Sequence, residues 1–308
     1  MQEDTELPRG IALAWGVAAN PQRGPKREMS VERIVETAVA LADAEGIGAV
    51  SMAAVAKKLG FTPMSLYRYV SAKDDLLLLM QEEATGAPSL RHRDEEGWRA
   101  KLRVLFVEQV SIYLRHPWIL ALPISGSPIT PNSSQWIEAG LEALDGAPLG
   151  EEEKLAIVLA ITGQARWQGM VYAGYDQAAR ESGRTTEEIS AEEHALYDRV
   201  IDGETYPRVR ALVDAGAFLS EADPFRFGLE RTLDGIEAYL DARGSGAPAA
   251  LDRTAIEGVA DVADDKRYRA AVRHLAATEK ELRQAEKAVR QARRQQEQAL
   301  REARARLD

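Results

Sequence analysis

Hydroxyl, guanidinium and ammonium groups lie close together between residues 62 and 73 of this 308-residue chain. Leu66 and Val70 are one helical turn apart, and we expect them to enter a core and hold the other side chains outward. Hydroxyl and ammonium groups bind phosphate, arginine binds guanine or phosphate, and apolar atoms contact thymine methyl groups. The pattern therefore predicts a DNA-contacting surface made of Thr62, Pro63, Met64, Ser65, Tyr67, Arg68, Tyr69 and Lys73.

Three predicted helices position these side chains. Ser30 caps the first helix, whose apolar residues recur with the helical period up to Gly46. Ser51 caps the second, which ends at Gly60. Thr62 is predicted to cap a third helix of about two turns, with Pro63 in its first turn. A helix, a glycine-containing turn and another helix form the unit that lays its second helix in the major groove. The alternative is a packing unit of three helices whose tyrosines cover a neighbouring helix.

The segment Ser30–Met80 resembles the tetracycline-repressor (TetR) family of bacterial regulators. The similarity runs without a gap through "RIVETAVALADAEGIGAVSMAAVAKKLGFTPMSLYRYVSAKDDLL". Arg68 occupies a position that varies in the family, so its base contact is inferred from its chemistry alone. The resemblance implies DNA contacts, mostly to phosphates for the last three residues, by Ser51, Thr62, Met64, Ser65, Tyr67, Tyr69 and Lys73.

A second all-helical region is predicted between Trp98 and Ala242. The stretches "HPW", "ITGQARWQG" and "FGLERTLDGIEAYL" resemble the C-terminal ligand-sensing and dimerisation domain of the same family. That resemblance implies a four-helix interface between two subunits, made by the helices at 151–173 and 224–242. The inward residues of the latter helix are predicted to be Phe227, Leu229, Leu233, Ile236 and Leu240. The predicted helices are Trp98–Leu114, Ser134–Leu144, Glu151–Ala173, Glu188–Ile201, Tyr206–Ala215 and Pro224–Ala242.

Polar side chains interrupt the apolar faces of two helices in this region. Small-molecule sites are mostly apolar and contain a few orienting polar groups, and this mixture fits that description. In the alternative interpretation, the aromatic residues fill the core and the polar residues face water. The predicted ligand-binding residues are Leu105, Gln109, Tyr113, Trp118, Trp136, Gln164, Trp167, Gln168 and Met170.

The sequence offers no support for catalytic or metal chemistry. The chain has no cysteine, and its four histidines lack metal-binding spacing. His92 is interpreted as part of a charged connector over 82–96. No nucleophile elbow, phosphate loop or dinucleotide fingerprint is found. We therefore expect no enzyme activity, no catalytic residue, no metal ion and no cofactor.

The composition indicates a cytoplasmic protein that does not associate with membranes. No apolar run is long enough to span a bilayer, and residues 11–19 follow an acidic rather than a basic start, so no export signal is expected. The absence of cysteine suits a reducing compartment. The net charge of −10 does not exclude nucleic-acid binding, because charge is distributed unevenly along the chain.

The chain divides into four predicted parts: a flexible N-terminal arm (1–27), a DNA-binding domain (28–84), a ligand-sensing and dimerisation domain (97–243) and a helical tail (251–308). The Arg23–Arg27 cluster is either a minor-groove arm or a solvated leader. From Lys266 onward the tail has 13 Lys and Arg residues against 6 Asp and Glu. Apolar residues recur every seven positions there, which leaves three alternatives: a dimeric coiled coil, a helix folded onto the acidic body, and a solvated helix.

These observations predict an all-α protein with an N-terminal three-helix helix-turn-helix domain, a C-terminal helical ligand-binding and dimerisation domain, and a long C-terminal helical extension. The expected function is that of a homodimeric transcriptional repressor. It would bind a pseudo-palindromic operator in double-stranded DNA and be released by a small-molecule effector. The alternative is an interaction or scaffold protein that acts through the basic C-terminal helix.

Overall fold

The computed structural model describes residues 7–17, 29–124, 126, 129–220, 222–243, 265–304 and 306, and within these residues all regular structure is helical. The chain forms two compact units, 1–246 and 247–308. The α-helices are α1 (Arg9–Ala14), α2 (Val31–Glu45), α3 (Met52–Leu59), α4 (Pro63–Leu66), α5 (Lys73–Thr85), α6 (Gly97–Arg115), α7 (Pro131–Ala143), α8 (Glu151–Ser182), α9 (Thr186–Val200), α10 (Pro207–Asp214), α11 (Pro224–Arg243) and α12 (Lys266–Arg304). Four short 3₁₀ helices cover Ile47–Ala49, Leu90–Asp94, Pro117–Ala121 and Ala217–Leu219.

The first core is formed mainly by α2, α3, α4 and α5. Ser30 caps α2 by accepting a hydrogen bond from the Arg33 N–H at 3.2 Å, and Gly46 ends the helix at φ +80°. Leu66 and Val70 are fully buried, as their spacing predicts. The buried residues of α2 are those that the helical period selects: Val31, Ile34, Val35, Ala38, Leu41 and Ala42.

Part of the N-terminal segment is helical. Residues 1–27 were expected to form a flexible arm; within them Arg9–Ala14 form α1, which packs against α5. A Cβ atom at Gly10 would lie 2.7 Å from Oδ1 and 3.3 Å from Cα of Asp75, so glycine leaves the space that α5 occupies. The indole of Trp15 donates a hydrogen bond to the Ile129 carbonyl at 2.9 Å. Six residues carry too little periodicity to predict this helix from the sequence. The Arg23–Arg27 cluster lies outside the described residues.

The second core lies between α6, α7, α8 and α11. Its buried residues include Leu102 and Phe106 of α6, Val158 of α8 and Leu233 of α11. Gly140 of α7 lies against α8, because a Cβ atom there would be 2.7 Å from a methyl group of Val158. Because residues of both helices are buried in this core, it determines which side of α6 packs against which side of α8.

Helix α8 is longer than its predicted range of 151–173. It continues to Ser182 and ends where Gly183 adopts the left-handed conformation, with φ +68° and ψ +18°. Gly174 does not interrupt it, since a glycine inside a helix costs only about 1 kcal/mol relative to alanine and good helix formers follow. Helix α7 begins at Pro131 instead of Ser134, with Thr130 in the extended conformation before it.

Phe227 is a second exception in this region, because it is 63% exposed in the single chain although an inward position was predicted. Leu229 and Leu233 of the same helix are buried as predicted. Phe227 lies at the border between the buried and the exposed faces of α11, and residue spacing alone does not show on which side of that border it falls. It therefore joins the exposed surface of this domain.

An ion-pair cluster joins the start of α6 to α11. Arg99 donates to Glu230 at 2.9 Å and to Glu237 at 2.7 Å, and it also pairs with Asp234. Arg103 donates to both carboxylate oxygens of Glu230 at 2.6 Å. Hydrogen bonds first from Arg103 and then from Arg99 lower the pKa of Glu230 to about 2.

We expect Glu230→Gln to destabilise the protein at neutral pH and to have little effect in acid. Because the folded-state pKa of Glu230 lies below its ordinary value of 4.5, its ionised form stabilises the fold above pH 4.5, and this contribution disappears as pH falls from 4.5 towards 2. Urea unfolding at pH 7, 4 and 3 measures the difference from the unmodified protein, which should shrink with pH. The exposed Glu152→Gln on α8 is the matched control, and equal pH profiles for the two variants would contradict the prediction.

Within the predicted helical tail, residues Lys266–Arg304 form one helix, α12, and residues 251–264 lie outside the described part of the chain. Asp265 begins it by accepting hydrogen bonds from the Arg267 and Tyr268 N–H groups, both at 2.8 Å. The heptad residues Tyr268, Leu275, Leu282 and Val289 are exposed in the single chain. Whether they pair with a second copy stays a prediction.

Candidate DNA-binding surface and effector site

Helix α4 presents its side chains outward from the first core. Pro63 occupies its first turn, and the Thr62 and Ser65 hydroxyls are hydrogen-bonded at 2.9 Å. Thr62 makes no side-chain cap to the backbone, contrary to the prediction. The helix has only four residues, and turns carry the chain on to Val70, whose N–H bonds to the Leu66 carbonyl at 3.0 Å.

The geometry of α4 follows from two local features. Gly60 adopts the left-handed conformation, with φ +78°, which ends α3 and turns the chain by way of Phe61. The two buried aliphatic residues, Leu66 and Val70, then hold the short helix on the core. Met64 is 73% exposed and Tyr67 is 45% exposed, so this surface carries large groups that the fold itself leaves uncovered.

The predicted DNA-binding residues lie on one continuous part of the chain, α3 to the start of α5. Ser51 accepts a hydrogen bond from the Ala54 N–H at 3.1 Å and caps α3, so its hydroxyl has a structural partner. Arg68 and Lys73 are exposed and form no ion pair with any residue that the structure describes. Lys58 pairs with Glu45 at 3.4 Å. Ser65 and Tyr69 are half-buried, and Tyr69 packs on the first core.

Polar groups are enclosed between α6, α8 and α11 in the second domain. The Gln164 amide donates to the Thr232 hydroxyl at 2.7 Å, and that hydroxyl donates to the Gly228 carbonyl at 3.1 Å. Gln168 is 7% exposed. Among the described residues, the buried Oε1 atoms of Gln109, Gln164 and Gln168 have no hydrogen-bond partner.

Helices α6 and α8 approach closely beside this polar group. A Cβ atom at Gly169 would lie 2.7 Å from Cβ of Tyr113, so α8 has a glycine where the tyrosine crosses it. Burial raises the pKa of Tyr113, and the neighbouring Arg166 guanidinium acts in the opposite direction. Arg166 also donates to the carbonyls of Leu120, at 2.9 Å, and Leu122, at 3.3 Å.

The nine predicted ligand-binding residues occupy three different places. Leu105, Gln109, Tyr113, Trp136, Gln164 and Gln168 lie in or against the second core, and the Trp136 indole donates to the Gly86 carbonyl at 2.9 Å. Trp118 is buried with the first core instead. Trp167, 58% exposed, and Met170, 44% exposed, lie on the outer face of α8. The structure therefore does not bring Trp118, Trp167 and Met170 together with the glutamines.

Asp43 connects the two domains, and sequence reasoning missed it. One carboxylate oxygen of this α2 residue lies 2.7 Å from the Trp118 indole nitrogen, which donates to it, and 2.8 Å from Nδ1 of His116. The "HPW" stretch of the second domain is therefore hydrogen-bonded to α2 through His116 and Trp118. Arg166 of α8 binds the next turn of the same segment, so a hydrogen-bonded path runs from α8 through Pro117–Ala121 to α2.

A second connection joins α5 to α7. Asn132 donates its backbone N–H to Glu82 at 2.8 Å and its side-chain amide to the Glu82 carbonyl at 2.9 Å. No motif in the sequence marks these residues, because both are common polar residues 50 positions apart. Helix α5, which follows the DNA-binding surface, is thus attached directly to the second domain.

The structure corrects the interpretation of His92 as connector charge. His92 is 1% exposed, with Nδ1 2.8 Å from the Ser89 carbonyl and Nε2 3.7 Å from Glu142. It anchors the connector because residues 90–94 form a 3₁₀ helix that turns the ring inward. Within the described residues, no group of three or more His, Asp or Glu side chains has an arrangement that could hold a metal ion. None of the described helices combines the length and the apolar composition that crossing a membrane would require.

An outward helix after a glycine turn, joined through α2 and α5 to a helical domain with enclosed polar groups, defines a helix-turn-helix regulator with a sensing domain. Comparisons with known families agree with this class. Residues 34–80 match the family model of bacterial regulatory proteins of the tetR family, and residues 91–240 match that of the tetracyclin repressor-like C-terminal domain. The chain belongs to the tetR family and is a transcriptional repressor of that family.

The chain is similar to transcriptional regulators of other bacteria. The HTH-type transcriptional repressor DrrR1 of Streptomyces coeruleorubidus is 34% identical over 246 residues, which cover 79% of this chain and 90% of DrrR1. An HTH-type transcriptional regulator of Saccharopolyspora erythraea is 29% identical over 59% of this chain and 81% of its own. The resemblance to the family that the sequence indicated is confirmed.

Solved structures share the fold. Apo ActR from Streptomyces coelicolor has a TM-score of 0.59 at 20% identity, covering 71% of this chain and 99% of its own. ActR in complex with actinorhodin has a TM-score of 0.56 at 23% identity, again covering 71% and 99%. The predicted all-α fold with an N-terminal helix-turn-helix domain is confirmed.

Proposed function

We propose that this protein is a homodimeric repressor that binds a pseudo-palindromic operator through α4 and is released when a small molecule enters the second domain. The observation that carries the proposal is the outward surface of α4. Its two apolar anchors are fully buried, while Met64, Tyr67 and Arg68 remain exposed. A surface of aromatic, cationic and hydroxyl groups held on a rigid core suits a DNA groove.

An exposed apolar stripe on α8 supports the dimer. Leu155, Leu159, Gly163, Trp167 and Met170 are all exposed and recur every three or four residues, so they share one face of the helix. Exposed apolar patches of this kind mark interaction sites. On α11, exposed Phe227 and Gly235 are also available for contact, which suits the four-helix interface expected for two copies.

The dimer has a mechanical purpose in this proposal. Two recognition helices about 34–36 Å apart match successive major-groove faces of an inverted repeat. A ligand releases DNA to the extent that it binds one arrangement of the two helices more tightly than the other. Arg166 of α8 donates to the Leu120 carbonyl, and Trp118 of the same short segment donates to Asp43 of α2. Through this segment, a movement of α8 is transmitted to α2.

The existence of an effector is supported by the fold neighbour and by the enclosed polar groups. ActR has been solved with actinorhodin and with (S)-DNPA, so a protein of this fold accommodates small organic molecules. In the present chain, the buried glutamine side chains offer orienting polar groups among apolar residues. This mixture is typical of small-molecule sites.

The dimer proposal is tested by placing charge on the α8 stripe. We expect the double variant Leu155→Glu, Leu159→Glu to sediment at the monomer mass of 33.8 kDa and the unmodified protein at twice that mass. Affinity for a duplex carrying an inverted repeat should fall by at least about 100-fold, since the second half-site is no longer bound intramolecularly.

The matched control is Leu196→Glu, Leu212→Glu, which adds the same charges at exposed positions of α9 and α10. This variant should remain a dimer and bind DNA normally. A charged α8 stripe that leaves both the mass and the operator affinity unchanged would contradict the proposed interface.

A further inference from the structure

The unpaired glutamine oxygens in the second domain carry information about the chemistry of the effector. Buried polar groups in native proteins are normally hydrogen-bonded, and each exception needs a partner such as water or a ligand. Here three exceptions occur on two helices that pack together: Gln109 on α6, and Gln164 and Gln168 on α8.

The hydrogen-bond network fixes which amide atom of Gln164 is unpaired. The Thr232 hydroxyl has a single hydrogen, which it donates to the Gly228 carbonyl at 3.1 Å. Its oxygen must therefore accept from the Gln164 Nε2 group, 2.7 Å away. The remaining atom of that amide, Oε1, is a hydrogen-bond acceptor.

Gln168 also presents an unpaired oxygen. Its side chain is 7% exposed. The Tyr172 hydroxyl, one turn further along α8, donates to Asp223 at 3.1 Å. The atom of Gln168 left without a partner is again Oε1.

The three glutamines lie beside the contact between α6 and α8. Gln164 and Gln168 are one turn apart on the same face of α8. Gln109 lies one turn from Tyr113 on α6, and Tyr113 packs directly on Gly169, the residue after Gln168. Leu105, Phe106, Val110 and Ala165 are buried in the same core.

We propose, building on the function proposed above, that the effector is an uncharged molecule with an apolar body and at least two hydroxyl or N–H donors, which are bound by Gln109, Gln164 and Gln168. A carboxylate ligand is disfavoured because its oxygens would face the three amide oxygens, and the nearby Arg166 guanidinium already donates to the Leu120 and Leu122 carbonyls. A cation would meet only uncharged amide oxygens, since none of the described hydrogen bonds joins a carboxylate to the three glutamines. Hydroxyl and N–H donors satisfy all three acceptors without burying a charge.

A pair of probes that differ only in donor capacity tests the proposal. Calorimetric titration of the full chain with 2,7-dihydroxynaphthalene should show saturable binding at one site per chain. The same titration with 2,7-dimethoxynaphthalene, which keeps the body and lacks the donors, should give at least about tenfold weaker binding, since one net hydrogen bond corresponds to roughly that factor. Equal affinity for the two probes, or no saturable binding of the dihydroxy probe, overturns the proposal.

Variants locate the site. Gln164→Leu and Gln168→Leu should each weaken the dihydroxy probe by about tenfold. Gln177→Leu at an exposed position of the same helix is the matched control and should bind unchanged. Undiminished binding by both leucine variants overturns the assignment. Should a leucine variant fail to fold, the comparison of the two probes on the unmodified protein still tests the proposal. These titrations contain no DNA, so their failure is distinct from a failure of operator binding.

Discussion

The double variant Tyr67→Phe, Lys73→Ala is expected to bind operator DNA at least about 30-fold more weakly than the unmodified protein. A dimer loses four phosphate contacts, two hydroxyls and two ammonium groups, and each contact contributes about 0.5–1.5 kcal/mol. Both side chains are exposed, and Leu66 and Val70 are left untouched, so the fold should persist. Titration of a fluorescent duplex carrying an inverted repeat from beside its own gene measures the loss.

The salt dependence of operator affinity distinguishes the loss of specific phosphate contacts from a general loss of positive charge. Each phosphate contact made by a cation contributes about 0.9 to the slope of log affinity against log salt, so loss of two lysines should make the slope shallower by about 2. Lys101→Ala, which removes the same charge from α6, should leave affinity and slope nearly unchanged. If the double variant binds as tightly as the Lys101 variant, α4 and α5 do not dock on DNA in the way proposed.

Asp43→Ala is expected to loosen the DNA-binding domains and to reduce stability. The Trp118 side chain is only 4% exposed, and its indole N–H would lose the carboxylate acceptor 2.7 Å away. An unsatisfied buried donor costs about 1–3 kcal/mol, which urea unfolding will show. Because α2 then loses its hydrogen bonds to His116 and Trp118 and keeps only apolar contacts with this segment, we also expect operator affinity to fall by about tenfold, since the spacing of the two domains must be ordered on binding.

The loosening can be measured directly. The chain has no cysteine, so a spin label at Met64→Cys reports only the distance between the two copies of α4 in the dimer. In the unmodified background we expect a narrow distribution near about 34–36 Å, the spacing of half-sites one helical turn apart. Asp43→Ala should broaden it, and Asp43→Asn, which keeps one acceptor oxygen, should broaden it less.

Asp145→Ala is the control for Asp43→Ala, because it removes an exposed carboxylate outside the interdomain contact. It should change neither the distribution nor the stability. If Asp43→Ala lowers stability but leaves the distance distribution unchanged, Asp43 only stabilises the fold. It would then not contribute to the coupling between the two domains.

The DNA-binding domain could be predicted from sequence because its determinants are local. The period of α2 identified all six of its buried residues, and Ser30, Ser51 and Gly60 mark helix ends by conformations that depend on adjacent residues. The outward direction of α4 follows from the one-turn spacing of Leu66 and Val70. Details at the limit of local information were wrong, namely the length of α4 and the cap at Thr62.

The ligand-sensing domain was predicted less well, because several helices share similar apolar faces. Spacing within α8 does not say which face meets α6 and which remains open, so Trp167 and Gln168 entered one predicted site although the first is exposed and the second buried. The end of α8 was also missed: the predicted helix stops at Ala173, whereas the helix continues to Ser182.

The sequence by itself determined the helix-turn-helix unit, the all-α class and the family, because capping, helical period and motif depend on residues within a few turns of one another. Only the tertiary structure decided that α1 packs on α5, that Asp43 binds the "HPW" segment 73–75 positions away, and that three glutamine oxygens are enclosed without partners. These features are contacts between segments that lie far apart in the sequence. A local sequence pattern does not predict such contacts, because the free energy gained by burial depends on both of the surfaces that pack together.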